Sequence, residues 1–172
     1  MRSWCARALA AFLMSGLHSA PAIAQQGGWN LYENARFGYR ALYPDFLIPE
    51  EESENGDGRK FVSSDGAVKL VVFAAHNAQN MSIDEYRGTL LKEFKGHDHI
   101  GYGPRGNSWF VLSGLRGDSI YYEKVLFACG GRIINAFALT YPQDRKQAFD
   151  AIVTGIEKRF RGSSGQACAT SK

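Results

Sequence analysis

The sequence predicts an α+β fold, a mainly antiparallel sheet packed by two main helices, and three observations carry that expectation. Short apolar segments alternate with tight turns, so successive strands should pair antiparallel. Two stretches repeat apolar residues at helical spacing on one face only. The order is strand hairpin, helix, antiparallel strands, helix, which supplies two one-faced helices to cover one or both faces of a single sheet. A doubly wound nucleotide-binding fold would instead alternate strand and helix throughout.

Residues 1–24 begin with Arg2 and Arg7, continue through a mostly apolar run over 8–17, and end in Ala22-Ile23-Ala24 before Gln25. This is the pattern of a cleaved export signal with its cut after Ala24, and it predicts a periplasmic or secreted protein. The run falls short of the ~20 apolar residues that span a bilayer, and no later segment reaches that length, so no transmembrane segment is expected in the mature chain. Cys5 precedes the run and is not placed as a lipoprotein cysteine.

Residues 25–33 read as a lead-in with one anchor, Trp29. Residues 36–43 read as a strand that Pro44 ends, because proline cannot donate to a ladder. An apolar stretch over 46–49 should pack under the acidic, turn-rich segment 50–58. Residues 60–63 and 67–75 form a hairpin around Ser64-Asp65-Gly66. Ser82 opens a helix, with Glu85 completing a capping box. Ile83, Tyr86, Leu90 and Phe94 give it one apolar face, and Gly96 stops it. Residues 100–102 form a weak strand, and 108–115, 120–128 and 133–141 form strong ones joined by turns at 116–118 and 130–131. Residues 144–161 read as a helix with Phe149, Ile152, Val153, Ile156 and Phe160 on one face, an i,i+4 pair between Glu157 and Arg161, and Gly162 as its stop. A single domain over 25–161 is expected, followed by a flexible tail over 162–172 with the composition of a linker. No internal repeat is present.

Arg2 and Arg7 belong to the export segment, so 20 Lys and Arg against 17 Asp and Glu become 18 against 17, a net charge near +1. A near-neutral domain gives no electrostatic reason to expect a nucleic-acid partner. Cys5 leaves with the same segment. Cys129 and Cys168 remain, an even pair that predicts a disulfide in an oxidising compartment and would tie the tail down.

Few motifs carry chemistry. Gly101-Tyr102-Gly103-Pro104-Arg105-Gly106 spells a dinucleotide fingerprint, but a strand follows it where the mechanism needs a helix N-terminus, so it reads as a turn. No cofactor is expected. His97-Asp98-His99 offers two imidazoles and a carboxylate to a metal; His76 is the remaining mature histidine, and a polar loop after a helix explains the same residues. Glu50, Glu51, Glu52, Glu54 and Asp57 form an acidic loop without EF-hand spacing, read as solvated rather than calcium-binding. Arg116-Gly117-Asp118 is what a hairpin tip needs. No Gly-x-Ser-x-Gly elbow or selected triad supports nucleophilic catalysis. Aromatic residues are in surplus: Tyr102, Trp109, Tyr121, Tyr122 and Tyr141 are the candidate ligand or partner surface, which Trp29, Tyr32 and Phe37 could join. Tyr121 and Tyr122 must face opposite sides of a strand.

Several phrases resemble a known group: Tyr32-Glu33-Asn34-Ala35-Arg36-Phe37-Gly38 with Tyr43-Pro44, Asn55-Gly56-Asp57-Gly58-Arg59 with Phe61, 109–114, Tyr122-Glu123-Lys124, and 137–142. Over nearly the whole mature chain they resemble uncharacterised exported proteins of Gram-negative, mainly rhizobial, bacteria. The Arg-Phe-Gly-Tyr opening and the element order are also similar to the PsbP-like α-β-α sandwich. That resemblance implies a binding or assembly-assisting module and no catalytic residue. The expected function is a non-enzymatic periplasmic binding or assembly module for a protein or envelope ligand. The rival readings are a small hydrolase or metal-dependent enzyme working through His97, Asp98 and His99 near the acidic loop, and a structural envelope protein.

Overall fold

A computed structural model describes residues 27–94 and 98–170; the export-signal reading and His97 lie outside the described residues. Strands β1 (Trp29–Glu33) and β2 (Arg40–Pro44) form an antiparallel hairpin. A second sheet has seven strands: β3 (Leu47–Glu52), β4 (Gly58–Ser63), β5 (Lys69–His76), β6 (His99–Tyr102), β7 (Trp109–Arg116), β8 (Ser119–Ala128) and β9 (Ile133–Pro142). Its spatial order is β3-β4-β5-β9-β8-β7-β6, and every pairing in it is antiparallel. Helix α1 (Ile83–Leu91) lies between β5 and β6 in sequence, α2 (Lys146–Arg159) follows β9, and a short α3 (Gln166–Thr170) ends the described chain.

Strand alternation sorts the side chains into two apolar layers. On one face Leu70, Val72, Phe137, Leu139, Tyr122 and Tyr141 pack under α2, which contributes Phe149, Val153 and Ile156, and under Tyr32, Phe37 and Tyr39 of the hairpin. Phe137 stacks on Tyr122 and meets Phe160 edge-on. On the other face Phe110, Leu112, Val125, Ile134 and Ala136 pack under Ile83, Tyr86, Leu90 and Leu91 of α1. The two helices therefore cover opposite faces, which makes the expected α+β sandwich.

Local differences from the sequence reading have physical causes. The lead-in is strand β1, whose Trp29 ring fills the space over Gly155 of α2, where a Cβ would sit 2.6 Å from it. The strand expected at 36–43 begins at Arg40, because 35–37 is a turn. The apolar stretch at 46–49 and half of the acidic loop form edge strand β3, with Ile48 57% exposed. Pro49 is tolerated at an edge. Glu50 and Glu52 pair across to Lys60 (2.7 Å) and Arg59 (3.3 Å). Helix α1 has both arms of the Ser82–Glu85 capping box but ends at Leu91, where i→i+3 bonds tighten its last turn; Phe94 lies beyond it. Helix α2 stops at Arg159 because Phe160 is extended and Arg161 pairs its backbone with Arg40. Glu157 accordingly pairs with Lys124 (2.8 Å), not Arg161.

The segment read as a flexible tail folds back onto the domain. Buried Asn135 of β9 donates to Ser163 Oγ (2.8 Å) and accepts from the Ser163 amide (2.9 Å). Arg132 donates to the Cys168 carbonyl (3.0 Å). The expected disulfide joins Cys129 and Cys168, with Cα atoms 5.1 Å apart.

Candidate functional site

The β1–β2 turn and the returning C-terminal segment enclose a cleft of about 840 Å³. Its first wall is set by Asn34, 1% exposed, which works as a hub. Its carboxamide accepts from the Phe37 amide (2.7 Å) and donates to Tyr32 Oη (3.0 Å), Glu52 Oε1 (3.1 Å) and the Gly56 carbonyl (3.0 Å). Gly38 then turns the chain with a φ of 64°, a left-handed conformation that disfavours a side chain. The second wall is 161–170, joined to the first by reciprocal backbone bonds between Arg40 and Arg161, both 2.9 Å.

Charged and polar side chains stand among small residues in the cleft. Arg36, Arg40 and Arg161 line it with Glu33, Gln166 and Thr170. Arg40 pairs with Glu33 at 3.0 Å. Arg36 donates through one terminal nitrogen to the Asn55 carbonyl and stacks over Phe37. Arg161 donates through Nη1 to the carbonyls of Lys158 (2.8 Å) and Phe160 (3.0 Å). A guanidinium carries five N–H donors, so these bonds leave most of the three forks for solvent or a ligand.

The aromatic candidates are not gathered on one surface. Tyr102 is 57% exposed on edge strand β6, and Trp109 is half-buried with Lys124 over its ring. Tyr122 and Tyr141 are buried in the α2 layer, where burial raises both hydroxyl pKa values, Tyr141 to about 12. Tyr121 faces the opposite side, as its adjacency to Tyr122 requires. There it meets Phe94 and Arg116. Tyr32 and Phe37 are buried in the first layer, and Trp29 is half-buried against α2. Most of this surplus is core.

Asp98 and His99 stand at β6, one edge of the large sheet, with Asp98 3.9 Å from Arg116. The acidic segment belongs to β3, the opposite edge, and six strand spacings of ~4.8 Å put the two nearly 30 Å apart. His76 ends β5, four spacings from β6. No group of three or more His, Cys, Asp or Glu is placed to hold a metal among the described residues. The fingerprint-like glycines link β6 to β7 with no helix after them. Arg116-Gly117-Asp118 is the β7–β8 tip, where Gly117 has a φ of 58° and Arg116 lies over the Phe94 and Tyr121 rings.

Two features escaped the sequence. The cleft arginines are ordinary surface residues until the fold joins them. Glu123 is 3% exposed in the α1 layer, accepts from Tyr121 Oη, and burial pushes its carboxyl pKa up. Alternation along Tyr121-Tyr122-Glu123 could have placed that carboxyl on the inner face with Tyr121.

No family model and no curated relative matches this sequence. Solved structures do. The cyanobacterial PsbP (CyanoP) of Synechocystis sp. PCC 6803 is similar with a TM-score of 0.60 at 15% identity, over 85% of this chain and 98% of that one. The Ran-binding protein Mog1p of Saccharomyces cerevisiae is similar with a TM-score of 0.58 at 8% identity, over 80% of this chain and 96% of that one. At such identities the likeness is one of fold, and the fold of this chain is the PsbP/Mog1-type α+β sandwich.

Proposed function

We propose that this protein is an exported, non-enzymatic binding or assembly module that engages a protein or cell-envelope ligand through the cleft between the β1–β2 turn and the C-terminal segment. The observation that carries this reading is the convergence of Arg36, Arg40 and Arg161 in one concavity of ligand-binding size. Two further features support it. The fold is shared with the yeast Ran-binding protein Mog1p. A disulfide holding the cleft wall suits an oxidising compartment.

The test is affinity capture from the periplasm with the wild-type protein and with an Arg36→Glu/Arg161→Glu variant of unchanged circular dichroism. The expected result is a specific partner or envelope component that the wild type retains and the variant loses. Equal capture by both proteins, or none by either, would overturn the reading.

A further inference from the structure

The geometry points to a phosphate-recognition site in the arginine-lined cleft, serving a ligand that presents a phosphate monoester or a phosphorylated headgroup. This rests on the binding-module reading and adds the chemistry of the ligand to it.

Charge is the first argument. Among the described residues three guanidiniums and one carboxylate line the cleft, an excess of two positive charges. The rest of the chain does not share this bias, since residues 25–172 are near neutral overall. A phosphate monoester is close to dianionic at neutral pH. A single carboxylate would leave one of the excess charges unmatched.

Donor type is the second. Guanidinium forks bind phosphate oxygens bidentately, and arginine is the side chain of choice for that contact. Among the described residues the bonds made by Arg36 and Arg161 go to carbonyls, not to carboxylates. Their positive charge is therefore held in place without being neutralised. Arg40 is the partly neutralised member, through Glu33.

The remaining lining is the third. Ser164, Gln166 and Thr170 add short polar groups around the arginines. None of the large exposed apolar residues, Leu31, Ile48 and Tyr102, lies in it. Such a lining suits a hydrophilic head rather than an acyl chain or aromatic ring.

The wall is also pre-positioned. Gln166 and Thr170 flank Cys168, which the disulfide fixes, and Arg161 is locked to Arg40 through the backbone. Pre-organisation of this kind lowers the ordering cost of binding.

The test is an NMR titration of the full-length oxidised protein at low salt, following arginine side-chain and backbone amide signals. The probes are inorganic phosphate, glycerol 3-phosphate, acetate, and vesicles of phosphatidic acid in phosphatidylcholine. The expected result is saturable shifts confined to 33–40 and 161–170, with phosphate bound more tightly than acetate. Arg36→Gln and Arg161→Gln should each weaken phosphate about tenfold, the scale of one lost charge-assisted contact. Lys69→Glu on the exposed side of β5 should change it less than twofold. Stronger binding of the vesicles than of glycerol 3-phosphate identifies a lipid source, and the reverse a soluble one. Arg36 is held by the Asn55 carbonyl and the Phe37 ring, away from α2, so its variant tests the site even if the Arg161 change perturbs the end of α2. No saturable shift with phosphate, acetate binding as tightly as phosphate, or equal weakening by Lys69→Glu would overturn the assignment. Such a failure would leave cleft-dependent capture of a partner intact, so the two readings fail separately.

Discussion

Opening the Cys129–Cys168 disulfide should cost this protein a large part of its stability. The bridge spans 39 positions, and the loop it closes contains central strand β9 and all of α2. The chain-entropy relation gives about 4 kcal/mol for a loop of that length. With a urea m-value of ~2 kcal/mol/M for a domain of this size, the midpoint should fall by about 2 M. The expected drop in Tm is on the order of 10 °C. The assay is urea unfolding followed by tryptophan fluorescence and far-UV circular dichroism, on oxidised protein, reduced protein and a Cys129→Ser/Cys168→Ser variant. Reduced protein and variant should agree, with the m-value little changed. Reduction should also expose the chain after Arg161 to limited proteolysis, because non-covalent ties such as those of Ser163 and Arg132 would then have to hold the segment. A midpoint shift below about 0.3 M, worth roughly half a kcal/mol, would refute the argument that the bridge constrains the unfolded chain.

Three further perturbations test other parts of the structure. Gly58→Ala places a Cβ 2.3 Å from the Val72 carbonyl oxygen and 2.9 Å from the Phe73 Cβ, so β4 must shift; a loss of at least 1–3 kcal/mol, as for other overpacked sites, is expected in urea unfolding. Asn135→Ala strips the buried Ser163 amide and hydroxyl of their partner and should cost about 1–3 kcal/mol, with proteolysis at 162–170 rising in parallel. Glu123→Gln addresses pH. The folded carboxyl has a pKa above its ordinary value because of burial, opposed by the Tyr121 hydroxyl bond, with Glu93 adding repulsion and Arg116 opposing it. Stability from its protonated form is complete below 4.5 and is lost as pH rises through the folded pKa. Wild-type stability should therefore fall relative to Glu123→Gln as pH rises from about 4.5 toward neutrality. Parallel stability–pH curves for the two proteins would sink that account.

Legibility in the sequence followed the strength of the period. Strands β5, β7, β8 and β9 are long, rich in apolar and aromatic residues and bounded by turns, and each was readable, as was α2 with its apolar residues three and four apart. Strand β1 was hidden because Asn30 and Leu31 are both exposed, which breaks the alternation. Strand β3 was hidden because it is an edge, where Pro49 and three glutamates protect the unpaired ladder rather than face a core. The C-terminal segment looked like a linker because its anchors lie elsewhere, in Asn135, Arg132 and Cys129. The cleft was illegible for the same reason. Arg36 and Arg161 come from opposite ends of the domain and meet only through the backbone bonds of Arg40.

The phrases that carried the family resemblance have a structural explanation that bears on where ligands can bind. Tyr32 and Asn34 share the Glu52 carboxylate, Asn34 caps the carbonyl of Gly56, and Tyr39 donates to the carbonyls of Asp57 and Val72. Ser53, Asn55 and Asp57 close the adjoining turn on one another. These residues hold the hairpin rigidly against the first edge of the sheet, and their polar atoms are consumed in doing so. Arg36 sits in the middle of the same phrase, yet among the described residues its guanidinium has a single hydrogen bond, to the Asn55 carbonyl at the rim. On the opposite wall, buried Asn135 and the disulfide do for Arg161 and Gln166 what Asn34 does for Arg36. Both walls are thus fixed by buried polar or covalent ties, while among the described residues Arg36 and Arg161 have no carboxylate partner. This fixing of both walls is the pre-organisation that the proposed anion site calls for.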